Sequence, residues 1–365
     1  MNNSVFCYFF PLPTISELPK SVLIVRGDNI GDFITALPLA EVLKSQGVKQ
    51  IYYMGVAMNK VLVQNSPYID EYLDIATPPK KLKERILELG IDCLINLVNT
   101  GNSSLVLKNN KQIPIRIGPS SRLKFWENYT HPIRQKRSQS IQAETEYNLD
   151  LLKVLPLGNY SKPVPKLYFT DQELKSFRHQ LTKKMGLSSG VGTPPYIVFH
   201  CGMRGSALNL KKDHYLDIFA GLLFTDYPII LTGSSSDEKE LNDYLEQNIS
   251  NPRKHKFYNM TGAFSLRELC ALIKLATLYV GPSTGPTHIA AAAGTKIISF
   301  YPPIQVTSKQ RWGPLGHEGH IFTPDVSCPA KYHCKGKKCS DYYCMDKIST
   351  KDVLDKSMEL INSLD

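Results

Sequence analysis

Two loops in this 365-residue chain hold the residue types that phosphate binding and proton transfer need. The later loop is Gly281-Pro282-Ser283-Thr284-Gly285-Pro286-Thr287-His288, between the apolar run Leu278 to Val280 and the small residues Ile289 to Ala293. Gly281 and Gly285 permit backbone angles that other residues avoid, Pro286 suits a first helical turn, and Ser283 and Thr284 stand where a cap belongs. Backbone N–H groups and hydroxyls aimed at one point there suit a phosphate. The earlier loop is Arg26-Gly27-Asp28-Asn29-Ile30-Gly31-Asp32-Phe33, which is neither the dinucleotide fingerprint nor a P-loop. A carboxylate at a strand's end, facing a cleft, can accept a proton from an attacking hydroxyl. Asp32 is the better placed of the two aspartates, because it begins the helix beside Gly31. Helix capping by Asp28 and Asp32 would explain the same spacing.

Elements of alternating type must carry these loops. Ser21 to Arg26 reads as a buried strand, Ile34 to Ser45 as a helix, Gln50 to Met54 as a strand, Lys80 to Leu89 as a helix and Ile91 to Leu97 as a strand. Ile113 to Ile117 is a candidate fourth strand and Glu144 to Leu155 a further helix. Pro156 to Pro165, with three prolines, then breaks all periodicity. A second series follows, from the strand Tyr196 to His200 through the helix Thr287 to Ala293 to the strand Lys296 to Tyr301. Such alternation implies parallel βαβ units, with ligands at the carboxyl ends of the strands. The expected domains are residues 1–155, a linker at 156–166, and residues 167–349 with a cysteine-rich loop at 328–344. A terminal amphipathic helix follows at 350–365.

The formal net charge of +10 favours an acidic partner: nucleic acid, an anionic membrane surface or a phosphorylated substrate. The basic stretch from Lys108 to Arg137 includes Arg116, Arg122 and Lys124 with Phe125, Trp126 and Tyr129 among them. No recognised nucleic-acid motif accompanies it. No run approaches the roughly 18 apolar residues that span a bilayer, and the apolar start at Val5 to Pro13 lacks a basic residue before it. A cytoplasmic protein with peripheral membrane contact is expected. Of eight cysteines, Cys7, Cys93, Cys201 and Cys270 sit in apolar surroundings. Cys328, Cys334, Cys339 and Cys344 cluster among lysines without a Cys-x-x-Cys pair, a spacing loose for zinc. A loop with partly buried thiols and a metal or iron–sulfur site both remain open, and no metal is assigned.

Val22 to Pro38 together with Tyr279 to Pro303 resembles glycosyltransferase family 9, the lipopolysaccharide heptosyltransferase family. Gly31-Asp32 and Leu37-Pro38 match the family's first loop and helix, and Ser283 to Ala291 its late Asp/Ser-Thr/Ser-Gly-Pro-x-His-x-Ala-Ala loop. Arg116-Ile117-Gly118, the helix beginning Glu144-Thr145-Glu146, Thr232-Gly233 with Asp237-Glu238, and Arg311-Trp312-Gly313-Pro314 resemble further motifs. The resemblance runs from about Ser21 to the end. Two departures stand out. Ser283 replaces the Asp of the best-known members, and Leu208-Asn209-Leu210 lies where they carry a Lys followed closely by Trp, with Lys211 and Lys212 nearby.

The resemblance implies an α/β GT-B fold: two Rossmann-like doubly wound domains facing across a cleft, with the terminal helix packing back toward the N-terminal one. It implies an inverting, metal-independent transfer in which Asp32 is the general base. Gly31, Arg204, Gly233, Asp237, Glu238, Ser283, Thr284, Gly285 and His288 would bind the nucleotide-sugar donor, ADP-heptose being the one expected. Arg116, Arg122 and Lys124 would meet an acidic glycolipid acceptor, the lipopolysaccharide core, at the inner face of the cytoplasmic membrane. No other cofactor and no nucleic acid are expected. The alternatives are a GT-B enzyme that uses or epimerises another nucleotide sugar, and a non-catalytic binder of sugar nucleotide or glycolipid.

Overall fold

The computed structural model describes residues 13–99, 101–120, 128–188, 192–203, 208–250, 256–316 and 319–363. Two six-stranded sheets, parallel throughout, form the frame. The first holds β1 (Ser21–Val25), β2 (Gln50–Gly55), β3 (Glu71–Asp74), β4 (Cys93–Asn96), β5 (Ile115–Pro119) and β6 (His131–Ile133), in the order β3-β2-β1-β4-β5-β6. The second holds β7 (Ile197–His200), β8 (Ile229–Thr232), β9 (Phe257–Asn259), β10 (Leu278–Pro282), β11 (Lys296–Phe300) and β12 (Gly319–Phe322). Its order, β12-β11-β10-β7-β8-β9, is the same doubly wound pattern. The chain reverses direction across the sheet between β1 and β4 and again between β7 and β10. Loops that leave these strands open onto a crevice, which is where such sheets bind ligands.

The residues of β1 are buried on both faces, as an unbroken apolar run in a parallel sheet requires. Val22 and Ile24 face one apolar cluster, and Leu23 and Val25 face another. The first of these clusters also takes Tyr196, Val198, Tyr279, Ile289, Ala290 and Ile297 from the second sheet and its helices. A single core therefore joins the two units. Helix α1 (Ile30–Ile34) follows β1, and α10 (Gly285–Ala293) follows β10; their starts pack against each other. A Cβ on Gly31 would lie 2.8 Å from His288 Cδ2, and one on Gly285 would lie 3.0 Å from Ile30 Cβ. The missing side chains are what allow this approach.

The expected single helix over Ile34 to Ser45 is divided. Tight turns bond Ala36 N to Phe33 O and Leu37 N to Ile34 O, and a new helix, α2 (Pro38–Ser45), starts at a proline that has no N–H to return. Residues 156–170 contain no helix or strand before α6 (Asp171–Lys184). The terminal helix, α12 (Thr350–Asn362), does not pack back toward the N-terminal unit as expected. Its apolar face, Val353, Leu360 and Ile361, completes the core of the second unit, against α7 (Lys212–Leu222) and strands β10 to β12. The Lys296 ammonium from β11 fixes it there by donating to Leu360 O at 3.0 Å.

Candidate functional site

Arg26 extends β1 by one residue, its N–H bonding Met54 O, and the residue as a whole is 2% exposed. Each edge of the fork is taken. Nε donates to Asp28 Oδ1 at 2.6 Å and Nη2 to Asp32 Oδ1 at 2.5 Å, while Nη1 reaches Glu144 Oε1 and Asn148 Oδ1, each at 3.4 Å. Glu144 opens α5 (Glu144–Leu149) and also accepts Arg137 Nη1 at 2.5 Å and, from the second unit, Arg311 Nε at 3.0 Å. Three guanidiniums thus face three carboxylates in a cluster that crosses the junction of the two units, with Arg26 and Glu144 buried at its centre and the other four partly exposed. Burial works against the Glu144 anion, but Arg137, Arg26 and Arg311 outweigh it and bring the carboxyl down to about 2. At Asp28 burial prevails, with Asp32 adding to it against Arg26, and the carboxyl rises to about 6. Among the described residues nothing donates to Asp32 Oδ2.

Opposite stands the start of α10. Ser283 N bonds Phe300 O, and the Thr287 hydroxyl donates to Pro282 O at 2.5 Å, so the turn is braced from within. Thr284 is the N-cap by backbone, yet its hydroxyl turns to Pro282 O instead of capping the helix. Pro286 has no N–H, and Thr287 N and His288 N both bond Thr284 O, so among the described residues the backbone donors left at this start are Thr284 N and Gly285 N. His288 sits over Gly31, and its ring meets Trp312 edge-on at 6.4 Å between centroids. Burial lowers its pKa to about 4 in spite of the Asp32 charge, so the imidazole is neutral at pH 7. A cavity between the units is lined by Ile34, Thr35, Glu144, His288, Arg311 and Pro314.

The third wall comes from β7 and β8. His200 shares a hydrogen bond with Thr232 Oγ1 at 3.1 Å, and its Nε2 lies 3.6 Å from Glu238 Oε1. Glu238 is buried, and its Oε2 accepts from Ser234 N and Ser235 N in a capping box of α8 (Ser236–Gln247). Its carboxylate shapes the loop from within. Gly233 closes that loop against it, since a Cβ there would lie 2.8 Å from Glu238 Cβ. Asp237 is exposed on the first turn of α8.

The structure thus brings Gly31, Asp32, Ser283, Thr284, Gly285 and His288 together. Arg116 stands apart from them in role. Its guanidinium clasps the carbonyls of Asn128, Lys111 and Ile113, which braces the strand connection beside β5. Arg122, Lys124 and Arg204 lie outside the described residues. Sequence reasoning missed Arg26, Arg137, Glu144, Asn148 and Arg311 as site residues, although most lay in stretches it had singled out. Cys328, Cys334, Cys339 and Cys344 are free thiols, and no group of three or more His, Cys, Asp or Glu in metal-binding arrangement occurs among the described residues.

A carboxylate loop on one Rossmann-like unit facing a helix start on another is the layout of the GT-B class of sugar transferases. The family described as Glycosyltransferase family 9 (heptosyltransferase) matches residues 80–341, and the chain belongs to that family; it is a glycosyltransferase. A Haemophilus influenzae protein named provisionally as a glycosyltransferase is 29% identical over 322 residues, covering 84% of this chain and 89% of that protein. The structure of Escherichia coli ADP-heptose lipopolysaccharide heptosyltransferase II superposes with a TM-score of 0.76 at 20% identity, covering 94% of this chain and 99% of that one. A family 9 glycosyltransferase from Veillonella parvula superposes with a TM-score of 0.78 at 18% identity, covering 96% and 100%.

Proposed function

We propose that this enzyme transfers a heptose from ADP-heptose to a lipopolysaccharide core acceptor, with inversion at the anomeric carbon and without a metal. The observation that carries the reading is Asp32: its Oδ1 is tied to Arg26, its Oδ2 accepts from none of the described residues, and its loop packs on the start of α10. Asp32 Oδ2 takes the proton of an acceptor hydroxyl. The hydroxyl oxygen bonds to the anomeric carbon as the bond to the diphosphate breaks on the opposite face. The electron pair leaves with the diphosphate. Its growing charge meets the N–H groups of Thr284 and Gly285 at the α10 start, the Ser283 hydroxyl and a ring N–H of neutral His288. Asp28 is the weaker candidate for base. It is Asp32 that acts on the charge of His288, beside the donor seat.

The family's heptosyltransferase description and the ADP-heptose enzyme from Escherichia coli support the donor. Gly233, Asp237 and Glu238 frame the nucleoside end in this reading, and Arg204 meets the diphosphate. Arg122 and Lys124 meet the acidic acceptor, while Arg116 braces its own loop. The net charge of +10 suits an anionic leaflet and supports peripheral contact at the inner face; no described helix is long and apolar enough to cross a membrane. The test is a transfer assay across a panel of nucleotide sugars with heptose-deficient core acceptor, read by mass spectrometry and anomeric NMR. Heptose addition from ADP-heptose with inverted configuration is expected. Transfer from a different nucleotide sugar, or epimerisation of one without transfer, would overturn the donor assignment.

A further inference from the structure

Arg26 is buried and multiply paired, yet none of its contacts is needed to close the sheet. Its backbone N–H already completes the β1–β2 ladder. The side chain instead bridges Asp28 and Asp32 along its Nε–Nη2 edge, while Glu144 and Asn148 hold Nη1 from behind. Only a planar fork with donors in fixed directions can join two carboxylates and two further acceptors in this way. The consequence for Asp32 is asymmetric: Oδ1 is held by the fork, while no described residue donates to Oδ2 and the side chain stays about a fifth exposed. We propose that Arg26 is the positioning residue for the general base, fixing Asp32 Oδ1 so that Oδ2 alone meets the acceptor hydroxyl.

This inference rests on the reading of Asp32 as the base and adds what aims it. Glu144 and Asn148 act one layer further out, by setting the plane of the Arg26 fork. Glu144 is held in turn by Arg137 and Arg311, so the fork is fixed from both units of the molecule. Arg26 itself touches neither sugar nor diphosphate in this scheme. Its effect passes through the carboxylate and falls on the chemical step.

Two substitutions separate aiming from charge. Arg26→Lys keeps the cation and loses the fork, so kcat falls by about tenfold to a hundredfold with donor KM unchanged, a loss within the range that a positioned base supplies. Arg26→Gln removes the cation, so the acid limb of the kcat–pH profile moves to higher pH, because a carboxylate without its counter-charge binds protons more tightly. A merely structural arginine would not move that limb. Folding is checked by melting temperature, and if neither variant folds, Asn148→Ala loosens the fork without altering charge and lowers kcat with donor KM retained. Unchanged kcat in Arg26→Lys together with an unmoved acid limb in Arg26→Gln overturns the inference; for Asn148→Ala, unchanged kcat does so. Asp32→Asn run in parallel distinguishes the two levels. If it is inactive while the Arg26 variants are normal, only the positioning role fails; if it is active, the base assignment fails.

Discussion

Burying an arginine among carboxylates is unfavourable until every charge has a partner, and removing one member of such a cluster typically costs about 3–5 kcal/mol. Arg26, Arg137 and Arg311 against Asp28, Asp32 and Glu144 meet that condition with hydrogen bonds as well as charge. His288 beside them follows a different rule. Burial holds its pKa at about 4, against an ordinary value of 6.5. Between those two values the unfolded chain binds a proton that the folded chain refuses. Its contribution to stability is therefore complete above pH 6.5 and is lost as pH falls toward 4. Asp28 acts in the other direction: its folded value of about 6 exceeds its ordinary 3.8, so its protonation favours the fold as pH falls through 6. Substituting His288 isolates its share. His288→Asn is expected to lose about 2 kcal/mol less than the wild type between pH 7.5 and 4.5, measured by urea unfolding. Equal losses would show that the imidazole is not held neutral.

At the scale of elements, the site depends on how closely α1 passes α10. Gly31 lies under the His288 ring with no room for a methyl group. Gly31→Ala should destabilise the protein by about 1–3 kcal/mol and depress transfer, because the ring and Asp32 move apart; unfolding and rate measurements on the same preparation check both. Ala with wild-type stability and rate would mean that the helices have slack. The two loops were legible in the sequence because glycine, proline and hydroxyl residues at strand ends have few other uses. The sites of alternation were legible too, since β1, β4, β7 and β10 are apolar runs buried on both faces. The strands that escaped notice are β3, β6 and β12, all at sheet edges, where polar residues, Pro132 and Gly319 are tolerated. The charge cluster was not legible for another reason. Glu144 is 118 residues from Arg26 and 167 from Arg311, and no local pattern announces a contact at that distance.

The whole molecule divides labour between two units of the same topology. One presents the carboxylate, the other the helix start, and the shared apolar core with the Arg311–Glu144 ion pair holds them in register. Arg267 adds a second tie, donating to Val61 O across the junction while paired with Glu173. The apolar face of the terminal helix joins the core of the second unit, so its packing stabilises that unit. A molecule built in this way should lose chemistry and donor binding independently of each other. The most direct measurement is single-turnover transfer by Asp32→Asn, alongside its melting temperature with and without ADP-heptose. The account predicts transfer slowed by about a hundredfold or more, with the rise in melting temperature on adding ADP-heptose preserved, since bound ligand stabilises only the native state. Near-normal transfer by Asp32→Asn, or its loss in Asp28→Asn instead, would contradict it.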